Sequence, residues 1–408
     1  MSSLVVSPAR PVSVAMQKTM CEFFAGIGLV GEGLRASGWK CVYANDNEPK
    51  KQQLYEALNG KSAHFHLEDV GKTDEIIARI PGAPFLATAS FPCIDLSLAG
   101  HYKGFAGSHS STFFGFADVL QQLGSRRPRL VLLENVFGFI ASRDGRDFAE
   151  ATQALASLGY FLDCFVLDAR SFVPQSRPRV FVVGMGEELL HALRTPRSGR
   201  QLEFNYSSVG ESPINFLKAS RLRPTRLVDL LKRVPLSTGW HPLSLPDPPC
   251  PRSSLLEFID FDAEQDWWAK TQVDRHCDML SELHRTRIEE LRLDGDRHVA
   301  TGFRRIRKGV QRLEVRFDGL AGCLRTPKGG SAKQVVVAID KSELRMRWMS
   351  PREYARLQGV AHFPLSNGTR NQLLWGFGDA VCVPAVSWID KQILTPLFEK
   401  STVVSRTG

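Results

Sequence analysis

Phe23-Phe24-Ala25-Gly26-Ile27-Gly28-Leu29-Val30-Gly31 stands between the apolar run Met20–Phe24 and the helix-compatible stretch Gly31–Ser37. A glycine-bearing turn that closes a strand and opens a helix lets a ligand approach bare backbone at the helix N-terminus, so it marks the first unit of a nucleotide-binding α/β fold. Gly26, Gly28 and Gly31 satisfy Gly-x-Gly-x-x-Gly, and Asp46 lies 20 residues past Gly26. A nicotinamide enzyme places a ribose-binding carboxylate there, but a carboxylate after the second strand accepts from any ribose. This turn alone leaves the cofactor open.

Further strand candidates follow at Lys40–Ala44, Pro84–Ala89, Leu130–Leu133, Tyr160–Leu167 and Val180–Val183. Between them, Glu48–Leu58, Thr112–Leu123 and Asp147–Leu158 read as helices. Such alternation predicts a doubly wound, Rossmann-like α/β domain on a parallel sheet. After Gly186 the sequence turns Pro- and Arg-rich, with a more helical stretch from Glu264 to Arg292. We therefore expect a flexible tail over 1–19, a catalytic and cofactor-binding domain over 20–186, a smaller second domain over 187–345 and a return to the first domain over 346–400.

The 408 residues suffice for two domains, and a hydrophobic content of 43% argues against wholesale disorder. A net charge of +9 suits a polyanionic partner. The eight cysteines include no Cys-x-x-Cys pair or closely spaced Cys/His set of the kind structural zinc requires. They read as reduced thiols of a cytoplasmic protein with no metal. Met1–Met20 carries Arg10 and Lys18 but no long apolar core, so neither a signal peptide nor a membrane span is expected.

Beyond the glycine turn, Ser90-Phe91-Pro92-Cys93-Ile94-Asp95-Leu96-Ser97 sets a cysteine in a proline-bearing loop after an apolar run. A lone thiol usually packs as a small hydrophobe, but others of its kind follow in order. Glu134-Asn135-Val136 ends one apolar run, Gln175-Ser176-Arg177-Pro178-Arg179 opens another, and the chain then presents Arg347 to Gly359 and Gly376-Phe377-Gly378-Asp379-Ala380-Val381. Arg177 and Arg179, two apart on extended backbone, point to one face. From Cys21 to about Val386, and least between Gly186 and Arg345, this order resembles the DNA cytosine-5 methyltransferases of the bacterial restriction-modification type.

The resemblance implies an S-adenosylmethionine-dependent methyltransferase that leaves S-adenosylhomocysteine. Phe24 would contact the adenine, Gly26, Ile27, Gly28 and Leu29 would line the methionine portion, and Asp46 would hold the ribose. Asp69 would accept from the adenine amino group beside Val70, with Asp379, Ala380 and Val381 completing the pocket. Family members usually have Gly-Asn at the last motif, so Asp379 keeps an acceptor and loses an amide donor. Another departure is Asn47, where an aromatic often follows the ribose carboxylate.

For the chemistry, the resemblance makes Cys93, after Pro92, the nucleophile that adds to C6 of cytosine, which splits one hard step into two. Glu134 would hold the base at N3 and its amine, and Asn135 would support that geometry. Arg177 would contact the target base or its sugar-phosphate and raise the reactive fraction of the thiol, while Arg179 would order the active-site loop and the glutamate. The Gly/Ser/His-rich stretch Ala99–Ser111 reads as a loop that closes over DNA.

Double-stranded DNA is the implied partner, with a cognate restriction endonuclease, a monomeric state and a nucleoid-associated location in the bacterial cytoplasm. Thr301–Arg312 is the densest basic run. Phosphate contacts are expected from Arg304, Arg305, Arg307 and Lys308, from Arg325 and Lys328 of a second basic stretch, and from Ser97. Three other readings stay open: a tRNA cytosine-5 methyltransferase, whose Cys-Phe-Thr signature is absent here, a catalytically silent DNA-binding homologue, and a nicotinamide oxidoreductase.

Overall fold

The structure, a computed structural model, describes residues 16–92, 112–194, 220–250, 253–262, 266–327, 332–341 and 343–404. Cys93, Ser97, Lys328, the Ala99–Ser111 stretch and most of the 1–19 tail lie outside them.

A seven-stranded sheet carries the first half of the chain. Its strands are β1 (Thr19–Phe23), β2 (Lys40–Asp46), β3 (Phe65–Leu67), β4 (Leu86–Ala89), β5 (Leu130–Val136), β6 (Phe161–Asp168) and β7 (Pro178–Met185). They lie in the order β3-β2-β1-β4-β5-β7-β6. The reversal of order on either side of β1 and β4 opens a crevice at the carboxyl ends of these strands, where open α/β sheets bind ligands. Helices α1 (Leu29–Arg35), α2 (Pro49–Asn59), α3 (Thr73–Arg79), α4 (Thr112–Gln122) and α5 (Arg146–Ser157) supply the crossovers.

The expected all-parallel sheet is corrected at one edge. β7 runs antiparallel to both β5 and β6. A parallel partner to β6 needs a crossover of a dozen or more residues, whereas only Ala169–Arg177 joins β6 to β7, including a short 3-10 turn at Ala169–Ser171. The reversal brings Arg179 opposite Val136, at the same sheet edge as Glu134.

A second, four-stranded antiparallel sheet runs β11-β10-β8-β9, from β8 (His298–Arg307), β9 (Val310–Arg316), β10 (Gln334–Ile339) and β11 (Leu344–Trp348). In chain order, α6 (Glu187–Arg194), α7 (Thr225–Arg233), α8 (Lys270–Cys277) and α9 (Glu282–Leu293) precede it. Its own core runs from Val273 to Met346. The described part of 187–345 therefore divides between two bodies, because Leu227, Val228, Leu230 and Leu231 of α7 pack into the large sheet's core. Arg223 donates to both carboxylate oxygens of buried Asp163 on β6, at 2.8 and 2.7 Å, and fixes that attachment.

The chain then returns to the large sheet through α10 (Pro351–Leu357), α11 (Arg370–Asp379), α12 (Val383–Ile389) and α13 (Thr395–Val404). Pro at the first turn of α10 and a Ser350/Glu353 capping box start the return. Glu353 also pairs with Arg347, both side chains being fully buried, and accepts the backbone N–H of Asp260 at 2.9 Å. A buried pair of this kind is held by its extra hydrogen bonds rather than by charge alone. The helical run Arg370–Thr402 is long and apolar enough to cross a bilayer, but 67% of its most apolar window is buried inside the fold. Against α1 it fits closely: a Cβ on Gly33 would fall 2.7 Å from Val386, and Ser387 Oγ donates to Gly33 O at 2.8 Å.

Candidate active site and cofactor pocket

The glycine turn leaves β1 with Phe24, Gly26 and Gly28 all at positive φ. For a phenylalanine this region is strained, a state that persists where the surroundings over-determine it and clusters at functional sites. Ala25 N–H bonds to Asn45 O at 2.8 Å and Gly26 N–H to Asp46 Oδ2 at 3.0 Å, so the turn is pinned to the end of β2. At Gly28 a Cβ would fall within 3 Å of Tyr55 and Asn59, and at Gly31 it would meet Glu22; beside Gly26 the nearest atom is 4.0 Å away. The open side of the turn is therefore at Gly26, flanked by half-buried Phe24 and by Asp46, while Ile27 and Leu29 are buried beneath it.

Asp46 is 6% exposed and also accepts from Glu48 N–H at 3.0 Å. Asp69 is exposed at the end of β3, where its carboxylate accepts from Gly71 N–H at 2.8 Å, and Val70 beside it is buried. From the C-terminal return, Asp379 is exposed, Ala380 half-buried and Val381 buried. A residue that sequence reasoning missed joins two of these: Lys51 Nζ lies 3.7 Å from Asp46 Oδ2 and 3.2 Å from Asp379 Oδ2. An open glycine turn beside a rim of carboxylates fits a nucleoside with vicinal hydroxyls and a cationic tail. No group of three or more His, Cys, Asp or Glu that could hold a metal occurs among the described residues.

Under the turn, Glu22 is 1% exposed and its Oε2 has no hydrogen-bond partner among the described residues, while Oε1 accepts from Gly31 N–H at 3.2 Å. Burial pushes its carboxyl up to about 8, against the opposing pull of Gly31 and Val30 N–H and the Arg35 charge. Folding then takes up a proton wherever the unfolded carboxyl, near its ordinary 4.5, has already lost it. This contribution is complete below about pH 4.5 and is lost as pH rises through about 8. Glu22→Gln should therefore flatten the loss of thermal stability across that window, as melting temperatures of both proteins at a series of pH values would register.

At the neighbouring strand ends, Ala89 of β4 pairs with Leu133 of β5, one residue before Glu134. Asn135 Nδ2 donates to Phe91 O at 2.9 Å, which ties the backbone beside exposed Pro92 to β5. Glu134, buried, receives Arg179 Nε at 2.9 Å. The segment leading into Cys93, the Glu134 carboxylate and the Arg179 guanidinium thus meet at one sheet edge.

Arg177, expected at the target base or its sugar-phosphate, is instead 1% exposed with its guanidinium engaged by carbonyls. Nη1 donates to Leu324 O at 2.7 Å, and Nη2 to Gly378 O at 3.0 Å and Ala380 O at 2.5 Å. It joins β7, the stretch after the small sheet's β9 and the C-terminal return. Burial, then the Arg179 charge, pushes it down to about 10, so it stays cationic at neutral pH. The two arginines do share a face: the thiol of Cys323 lies 3.4 Å from Arg177 Nη1 and 3.9 Å from both Nη atoms of Arg179. Burial opposes ionisation of that thiol, but the Arg177 and Arg179 charges prevail and hold it below its usual range.

The basic run folds as the β8–β9 hairpin, turned by Lys308 and Gly309, both at positive φ. Two consecutive residues of this kind give the turn whose twist matches a hairpin. Arg304, half-buried, stacks its guanidinium 4.6 Å over the Trp348 ring. Arg305 and Arg307 both pair with Glu314, at 3.0 and 2.5 Å. Lys308 at the tip and Arg312, opposite Arg305 on β9, are both exposed and have no ion pair among the described residues. Arg325 is exposed, and its carbonyl lies where a Cβ on Gly378 would collide.

Comparison with known proteins agrees with this arrangement. The C-5 cytosine-specific DNA methylase family profile matches residues 18–232. The chain is 31% identical over 225 residues to the type II methyltransferase M.HaeII of Haemophilus aegyptius, covering 54% of this chain and 67% of that one. It is 26% identical over 400 residues to M.HpaII of Haemophilus parainfluenzae, covering 93% and 90%. Among solved structures, the S. pombe Dnmt2 methyltransferase superposes with a TM-score of 0.54 at 16% identity, over 93% of this chain and 98% of that one, which establishes a shared fold. The chain belongs to the C-5 cytosine-specific DNA methylase family, and its reaction is the methylation of cytosine C5 in DNA.

Proposed function

We propose that this enzyme takes its methyl group from S-adenosylmethionine and delivers it to one cytosine turned out of duplex DNA, through a transient bond between Cys93 and C6. The single observation that supports this most is the convergence at one sheet edge: Asn135 holds the backbone at Phe91, and Arg179 holds Glu134. Bound in the glycine turn, S-adenosylmethionine would supply a sulfonium-activated methyl. Phe24, Gly26 and Asp46 would hold its nucleoside, with Asp69 at the adenine and the Asp379–Val381 segment at the rim.

Cytosine C5 is weakly nucleophilic in its aromatic ring. When the Cys93 thiolate bonds to C6, the C5–C6 π electrons move toward C5, which then takes the methyl. Loss of the C5 proton to solvent and expulsion of the thiolate restore the ring. A proton taken up from solvent by the Glu134 carboxyl and donated to N3 would draw charge off the ring during addition, while Arg179 Nε, 2.9 Å from the other side of that carboxyl, fixes its direction. Arg177 acts at a distance, by joining the elements that carry Arg179 and Ala380.

For DNA, the small sheet is the reading unit, and two exposed cations of its hairpin without an ion pair among the described residues, Lys308 and Arg312, make the phosphate contacts. Each phosphate neutralised contributes a slope of about −0.9 to log affinity against log salt. Lys308→Ala or Arg312→Ala should each reduce that slope by about 0.9, whereas Arg304→Ala should leave it unchanged, in filter binding across a salt series. A type II modification role beside a cognate endonuclease is part of this proposal, supported by the type II methyltransferases among its relatives.

The test is transfer of tritiated methyl from S-adenosylmethionine to mixed-sequence duplex DNA, with transfer RNA as the parallel substrate. Label in DNA alone is expected. Label in transfer RNA alone, or in neither, defeats the proposal.

A further inference from the structure

We infer that Lys51 is a positioning residue of the cofactor pocket, and that its pairing with Asp379 is what lets an aspartate stand at the pocket rim. This rests on the S-adenosylmethionine reading above. Two local anomalies point to it. Lys51 occupies the first turn of α2, where the helix dipole disfavours a cation and the only carboxylate at the helix start among the described residues is the N-cap Glu48, which accepts from Lys50 N–H. Asp379 ends α11, where the same dipole disfavours an anion. Each charge is misplaced by its own helix, and the two meet at 3.2 Å.

The arrangement reaches the cofactor through Asp46. Lys51 Nζ lies 3.7 Å from Asp46 Oδ2, the oxygen that also accepts from Gly26 N–H of the glycine turn. The Lys51 side chain is 21% exposed and Asp46 6%, so their attraction is less screened than a surface pair's, while Asp379 at 44% contributes less. Burial works against the Lys51 charge, yet Asp46 and Asp379 raise its pKa overall. One ammonium therefore balances two carboxylates drawn from the two ends of the chain and keeps the ribose-facing one in register. Without it, Asp46 and Asp379 would repel across the rim.

The pair makes a signed prediction. By titration calorimetry of S-adenosylmethionine and S-adenosylhomocysteine into the DNA-free protein, Lys51→Met should weaken both by about tenfold, the loss expected for one partner of a half-buried charge cluster. Adding Asp379→Asn should restore most of that affinity, because the excess carboxylate goes with the ammonium. Lys51→Arg should bind as the native protein does, and melting temperatures check that all variants fold. Native affinity in Lys51→Met, or a double variant no tighter than the single, overturns the inference. If the native protein binds neither compound, the cofactor reading itself fails and this inference falls with it.

Discussion

Cys93→Ser should lower methyl transfer on the order of 10⁴-fold or more, the scale seen when a covalent nucleophile is lost. A hydroxyl at neutral pH is far less ionised than a thiol, so the attack on C6 no longer proceeds. The variant should still bind S-adenosylmethionine normally, since the glycine turn, Asp46 and Lys51 form a separate cluster pinned to β2. Duplex DNA carrying 5-fluorocytosine discriminates further. With fluorine at C5 there is no proton to release, so the native enzyme should remain bonded to the DNA through denaturing electrophoresis and Cys93→Ser should not. Equal methyl transfer by the variant would remove Cys93 from the mechanism. Glu134→Gln, with the thiol intact, should slow transfer by about 10²- to 10⁴-fold and leave Arg179 without its ion pair.

The second large effect is on stability. Arg177→Met should cost about 3 kcal/mol or more, because the carbonyls of Leu324, Gly378 and Ala380 lose a charged donor in the interior. Methionine fills similar space, so the loss reports unpaired polar groups rather than a void. Arg177→Lys keeps the charge but replaces a planar fork with one ammonium, which cannot reach all three carbonyls in the same geometry, and should recover only part of the deficit. Chemical denaturation of the three proteins provides the comparison. An unchanged midpoint in Arg177→Met would mean that the carbonyls find other donors.

How much of this was legible in the sequence depends on how far apart the partners lie. The strands with long apolar runs, such as Leu130–Leu133, were readable because burial on both faces leaves a continuous signal. β3 was missed: it has three residues and ends on exposed Leu67, so no run forms. The short helix α3 went unread with it. The reversal of β7 was hidden because the stretch between Leu167 and Val180 is just long enough for a crossover; the strands extend into it and leave only Ala169–Arg177 between them.

The site divided in the same way. Glu134 and Arg179 flank strands whose pairing follows from the topology, so their meeting was open to inference. The engagement of Arg177 was not, because its acceptor at Gly378 is 201 residues away. Arg304 also looked like its basic neighbours until pairing in the sheet set it over Trp348. α7 shows a signal that was present but unused: Leu227, Val228, Leu230 and Leu231 give one apolar helical face within Pro- and Arg-rich sequence, and that face belongs to the large sheet.

The close fit of α12 against α1 bears on biosynthesis. As a ribosome releases this chain, the helix that backs α1 through Gly33, Val386 and Ser387 follows the glycine turn only after a further 354 residues. Contacts so widely separated are slow to close, and a nascent polypeptide stalled before Val383 would lack that backing altogether. The glycine turn should therefore gain its full backing only once Val383–Ile389 has been made, long after the turn itself has left the ribosome.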